Sequence, residues 1–297
     1  MFPRFFRVAF WSASLLVSFD LNASAEVGEN RCGAMRLADD SVIHAPRPAV
    51  GSAWTYSVGQ GVAPSTLRLE RIEEGEGLYS AEASGRVWPG HREQLNTYTQ
   101  VNPLREGEQV MLRFPLHVGA TWEDSFVEPG EIQLSSGSFR YTYQEWAVSE
   151  VVSVEEVTIG LGSFSAFRIE RTARWVKSRP ESDDLPHMLN DGAGEVDGID
   201  RSVSWYVPEI GRVVMRMAQT MHPSYARFSR IDAQSAATLI TELVAYSDPG
   251  GCALEGAPLH ATLPQQAPMG YPFRDNNTWE YMLQTRPHRA QRVAAEP

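Results

Sequence analysis

The sequence predicts an all-β protein: antiparallel curved sheets, arranged as an open barrel or a sandwich, with few helices. Three observations predict it. Apolar and polar residues alternate with a period of two over most of the chain. Sequences rich in glycine and proline separate the alternating runs. No stretch carries a convincing helical stripe bounded by caps. Many short strands joined by such turns are the pattern of antiparallel assemblies.

The first 25 residues read as a signal peptide rather than as fold. Arg4 and Arg7 supply a positive start, Val8 to Phe19 is mostly apolar, and Ala23-Ser24-Ala25 offers small residues for cleavage. The apolar run is short for a bilayer span, and no later stretch is long and apolar enough to cross one. No Cys sits at a lipoprotein cleavage position, so no lipid anchor is expected. The mature chain is expected to be soluble, and periplasmic or secreted.

A β-rich domain is expected over 26–252. "TLRLERI" (66–72) alternates cleanly, and "LYSAEASGRVW" follows after the turn signal of Gly75 and Gly77. "QLNTYTQV", "QVMLRF" (109–114), "SFRYTYQEWAVSEVVSVEEVTI" and "SFSAFRIERTARWV" continue the idiom. Asn102-Pro103, Pro129-Gly130, Pro208…Gly211 and Pro249-Gly250-Gly251 read as breaks between strands. "IDAQSAATLITELVAY" (231–246) could start a helix capped by Asp232, but its Thr, Ile and Val content favours strand. "VGSAWTYSV" and "VGATWEDSF" share Val-Gly-x-x-Trp, which marks either two related units, about 46–115 and 116–250, or simply how strands begin in such a sheet. Residues 253–297 read as a proline-rich extension, with an edge strand expected at 277–283.

Cys32 and Cys252 are the only cysteines. In an oxidising compartment they pair as a disulfide. With 37 acids against 26 bases the chain carries −11, which disfavours nucleic acid as a partner.

Three segments together resemble a group of uncharacterised secreted bacterial β-proteins: "FPLHVGATW" (114–122), "EEVTIGLGSFSAFRIERT" (155–172) and "WYVPEIGRVVMR" (205–216). The matching residues are Pro115, Leu116, Gly119 and Trp122, then Gly162, Phe164 and Ala166, then Trp205, Tyr206, Pro208, Gly211 and Val213. The resemblance spans roughly residues 50 to 220. It implies a curved antiparallel sheet or open barrel in the cell envelope, and no activity.

Chemistry is sparse. Gly-x-Ser-x-Gly, His-Glu-x-x-His, Gly-x-Gly-x-x-Gly and phosphate-loop sequences are all missing. The seven histidines are scattered, and His117 and His222 are the best placed for an interior role. The acidic stretch 178–201 holds Glu181, Asp183, Asp184, Asp191, Glu195, Asp197 and Asp200. It reads as a solvated loop, with calcium as the alternative, although its spacing fails the EF-hand template. No cofactor and no metal site is expected. In the hairpin at 202–220, Tyr206, Arg212 and Arg216 could face a ligand groove with Glu209 at its lip, or the alternation could simply half-bury the hairpin. The leading function is a non-enzymatic envelope protein that binds a small apolar molecule, a glycan or a protein partner. Trp146, Trp175, Trp205 and Tyr206 are the candidate lining. The alternatives are a hydrolase whose site is assembled from distant residues, and a structural or assembly factor.

Overall fold

Two tight hairpins begin the sheet. Strands β1 (Ala53–Val58) and β2 (Ser65–Glu73) lead into β3 (Glu76–Ala83) and β4 (Arg86–Gln94). The β2–β3 turn uses Glu74 (φ 49) and Gly75 (φ 85), and the β3–β4 turn uses Ser84 (φ 51) and Gly85 (φ 73). Two successive left-handed residues match the right-handed twist of the flanking strands. The run "LYSAEASGRVW" is therefore two strands, broken at Ser84-Gly85.

The structure, a computed structural model, describes Cys32 and residues 35–59, 62–134, 137–178, 195–221 and 238–259. The expected signal peptide, the expected edge strand at 277–283, His222 and the acidic residues Glu181 to Asp191 lie outside them. The remaining strands are β5 (Thr99–Gln100), β6 (Glu106–Glu108), β7 (Thr121–Leu134), β8 (Gly137–Ile159), β9 (Gly162–Ser178), β10 (Glu195–Val207), β11 (Arg212–Met221), β12 (Thr238–Ser247) and β13 (Ala253–Glu255). They form one antiparallel sheet in the order β5-β4-β3-β2-β1-β12-β11-β10-β9-β8-β7-β6, with β13 beside β12. The all-β expectation holds, and the sheet does not close. Strand is also the state of Thr238–Ser247, where a helix was the alternative.

The sheet curls strongly. The Glu242 carboxylate on β12 accepts a hydrogen bond from Gly160 N, at the end of β8, at 2.8 Å. These strands are four places apart, roughly 19 Å in a flat sheet. Register defines the curl's inside. Glu242, Met215, Trp205 and Arg168 stand opposite one another, so they share the inner face. Val151, Ile169, Ser204 and Arg216 share the outer one.

Each face has its own apolar cluster. The inner one joins Trp54, Leu69 and Tyr79 to Phe164, Val203, Trp205, Met215 and Leu243. The outer one packs Trp122, Val151, Phe167, Ile169 and Tyr206 beneath Val110, Leu112 and Leu116. The segment "QVMLRF" thus caps the outer face instead of adding a strand. The amides of Met111 and Leu112 both point at the Thr97 carbonyl, which leaves none for a ladder. "QLNTYTQV" likewise contributes only the end of β4 and the two residues of β5.

Pro129-Gly130 does not end a strand; both lie inside β7. Among the described residues the far edge of β7 carries no partner strand past Val127, so Pro129 removes no ladder bond to one there. A Cβ on Gly130 would come within 2.3 Å of the Tyr141 ring, so glycine admits that ring. The acidic stretch is also not all loop, since Glu195 to Arg201 opens β10. Cys32 and Cys252 form a disulfide with Cα atoms 5.1 Å apart, closing 220 residues of sequence.

Candidate functional site

The end of β4, β5 and the connections to residue 114 enclose a cleft of about 720 Å³. Amides and hydroxyls dominate its walls: Gln94, Asn96, Thr97, Thr99, Gln100, Asn102 and Gln109. Arg105, Arg113 and Phe114 complete it, and Glu108 is the only carboxylate in the lining. The walls are held from behind. Arg105 Nε donates to Glu128 at 2.8 Å, Asn102 Nδ2 donates to the same oxygen at 2.9 Å, and Thr99 Oγ1 bonds the Gln109 carbonyl. Gln94 donates to Glu76 at 2.8 Å. Asn96 and Arg113 stand exposed at the mouth. The sequence hid this cleft because polar residues between strands look like any loop, and because "QVMLRF" alternates as a strand would.

The four aromatic residues named from sequence do not gather. Trp146 and Trp205 lie on the inner face, opposite Arg174 and Arg168, six residues apart along β9, or about 20 Å. Trp205 is buried and donates Nε1–H to Glu155 at 2.6 Å; Trp146 is only half-buried. Trp175 and Tyr206 lie on the outer face, at opposite ends of β9's pairing with β10. Trp175 donates to Asp200 at 3.0 Å and stacks on Tyr143. Tyr206 is fully buried against Tyr98 and Phe114, and its hydroxyl pKa is raised by burial.

Tyr206, Arg212 and Arg216 do not share a groove either. A register shift between Trp205 and Tyr206 sets Val213 opposite Tyr206 and Arg212 opposite Val207. One extra residue on β11 therefore turns Arg212 to the inner face while Arg216 stays on the outer. Single-sequence alternation cannot register such a bulge. His117, one of the two histidines best placed for an interior role, is exposed.

Arg212 is buried and pairs with a carboxylate from a distant strand. Its Nη1 donates to Glu93 Oε1 at 2.9 Å, and Nη2 lies 2.6 Å from Oε2. Its guanidinium sits 4.6 Å from the Tyr98 ring centre, 4.9 Å from Trp54 and 5.1 Å from Tyr79. Burial alone would lower its pKa; Glu93 outweighs burial and raises it. Glu93 is on β4, five strands from β11 in sheet order, so this pair fastens one wing of the curl to the other.

A second buried ionic group lies on the outer face. Arg171 Nη2 donates to Glu145 at 2.8 Å and to Asp124 at 3.0 Å, and Tyr143 donates its hydroxyl to Glu145 at 2.5 Å. Burial lifts the Asp124 pKa from 3.8 to about 6, against the pull of Arg171. Nearby, burial and the Arg171 charge both lower the pKa of Arg216. Burial also lowers that of Lys177, the only lysine of the chain.

Among the described residues, no helix is long and apolar enough to cross a membrane. No family model and no curated protein matches the chain. Solved structures superpose on about two thirds of it. One is from Bacteroides fragilis, described as exported and with a YmcC-like fold: 11% identical, covering 68% of this chain and 98% of the other, TM-score 0.33. Another is the hypothetical lipoprotein YmcC of Escherichia coli: 9% identical, covering 69% and 90%, TM-score 0.34. A lipoprotein-type structure from Parabacteroides distasonis is 11% identical, covering 69% and 98%, TM-score 0.34. Likeness at this level carries no argument about what the chain does.

Proposed function

We propose that the protein is an exported, non-enzymatic β-protein of the bacterial cell envelope, and that it binds a glycan in the cleft formed by residues 94–114. The observation that carries this is the cleft's lining. Amides and hydroxyls fixed by hydrogen bonds to the sheet suit a ligand covered in hydroxyls, and the Phe114 ring offers an apolar patch beside them. An apolar ligand fits less well, because both apolar clusters are filled by the protein's own side chains. A hydrolase also fits less well. Most glycoside hydrolases set two carboxylates across the bond they cleave, and this lining holds Glu108 alone. The signal-like N-terminus and the disulfide support export.

A protein partner is favoured by a different observation. Val87 and Trp88 are 58% and 50% exposed on β4, whose outer edge, among the described residues, pairs with β5 at Glu93 and Gln94 and accepts a backbone bond from Val101 at Arg92. Calorimetric titration with chito- and galacto-oligosaccharides separates the two readings. Saturable binding that is lost in Asn96→Ala/Gln100→Ala, with the sugars recovered intact, supports the cleft. Sugar binding that persists in that variant, or none at all, sinks it.

A further inference from the structure

The outer face holds buried hydrogen-bond donors that nothing satisfies. Among the described residues, the Nε–H groups of Arg171 and Arg216 and the hydroxyl of Ser149 are sealed from solvent without a partner. Such groups are rare in native interiors, because each costs its full desolvation penalty. Here they cluster. The ladders set Ser149 and Ser202 on either side of Arg171, and Ser204 beside Arg216. The two arginines stand two strands and two residues apart, roughly 12 Å between Cα atoms, a separation two long side chains reach across. On the intervening strand the residues opposite them are Ser202 and Ser204, both short and buried.

Charge points the same way. Arg171 already holds Asp124 and Glu145, and Asp200 accepts from Trp175. Arg216 has no carboxylate within 4.0 Å among the described residues; Asp200 and Glu145 act on it only from farther away. Its side chain is half-buried with Nε sealed from solvent, it has no ion pair among the described residues, and the Arg171 charge repels it. An anion seated between them would relieve both the repulsion and the orphaned donors.

We propose that Arg171 and Arg216, over Ser202 and Ser204, form a site for a single oxyanion, the carboxylate or phosphate group of a ligand. The guanidinium fork matches either group with two parallel donors, and the serine hydroxyls rotate to supply more. This site is separate from the cleft and does not depend on what the cleft binds.

The test follows the melting temperature of the purified full mature chain against sodium acetate and, separately, sodium phosphate, with sodium chloride holding ionic strength constant. A ligand that binds only the folded state raises the melting temperature in a saturable way. The wild type responds to at least one of the two salts. A response to acetate alone assigns a carboxylate, and to phosphate alone a phosphate. Arg216→Met abolishes the saturable response. Arg216→Lys keeps the charge but not the fork, and weakens the midpoint by about tenfold or more. The proposal is overturned if the wild type gives no saturable shift, or if Arg216→Met gives the same shift as the wild type.

Discussion

Arg212 and Arg216 are four residues apart on one strand, the first buried and the second half-buried, and their surroundings are opposite. Arg212 on the inner face has a carboxylate across two nitrogens and three aromatic rings around it. Arg216 on the outer face has a repelling arginine, and no ion pair among the described residues. A buried charge is tolerated where the fold supplies its partners, and then it serves the fold. Where the fold leaves it short, the cost to stability points to a partner from outside. The bulge between Trp205 and Tyr206 creates the difference, since without it both side chains would leave β11 on the same side.

The largest effect should come from breaking the satisfied pair. Arg212→Met leaves Glu93 buried and uncompensated, and should cost about 3–5 kcal/mol in urea unfolding. Arg212→Met with Glu93→Leu removes both charges, and should recover most of that loss. If the double variant is no better than the single, the cation–aromatic contacts, not the carboxylate, carry the interaction. Arg212 would then resemble Arg216 more closely than the distances imply.

The unsatisfied arginine should behave in reverse. In buffer containing only chloride, Arg216→Met should leave the protein at least as stable as the wild type, because a half-buried charge with no ion pair among the described residues is removed. A loss of stability would mean that Arg216 already has its partner within the fold, and the contrast with Arg212 would collapse.

Much of the architecture was legible in the sequence. Alternation found β2, β8, β9, β10, β11 and β12, and Pro208…Gly211 and Pro249-Gly250-Gly251 marked true turns. These features depend on which way neighbouring side chains point, and sequence carries that directly. What escaped depends on contacts between distant strands. Glu93 and Arg212 are 119 residues apart, and no local pattern announces that they meet. Aromatic residues in strands look alike, so the sequence presents Trp146, Trp175, Trp205 and Tyr206 as one lining. Register then sends two to each face and spaces them along β9. "QVMLRF" looks like a strand for the same reason: alternation is as useful for capping a face as for joining a sheet.

The smallest effect concerns the charge group that flanks Arg216. Burial raises Asp124 from 3.8 to about 6 in the folded chain, so between those values the native state holds a proton that the unfolded state has released. Stability therefore falls as pH rises from about 4 to about 6, through this group alone, and is flat above that. Other carboxylates add their own slopes, so the informative quantity is the difference between wild type and Asp124→Asn across pH 4 to 7. That difference should change between pH 4 and 6 and then level off, the asparagine form gaining on the wild type as pH rises. If the curves stay parallel, Arg171 holds Asp124 ionised throughout. The outer group would then be as fully compensated as the inner pair, and Arg216 alone would be the charge left without a partner.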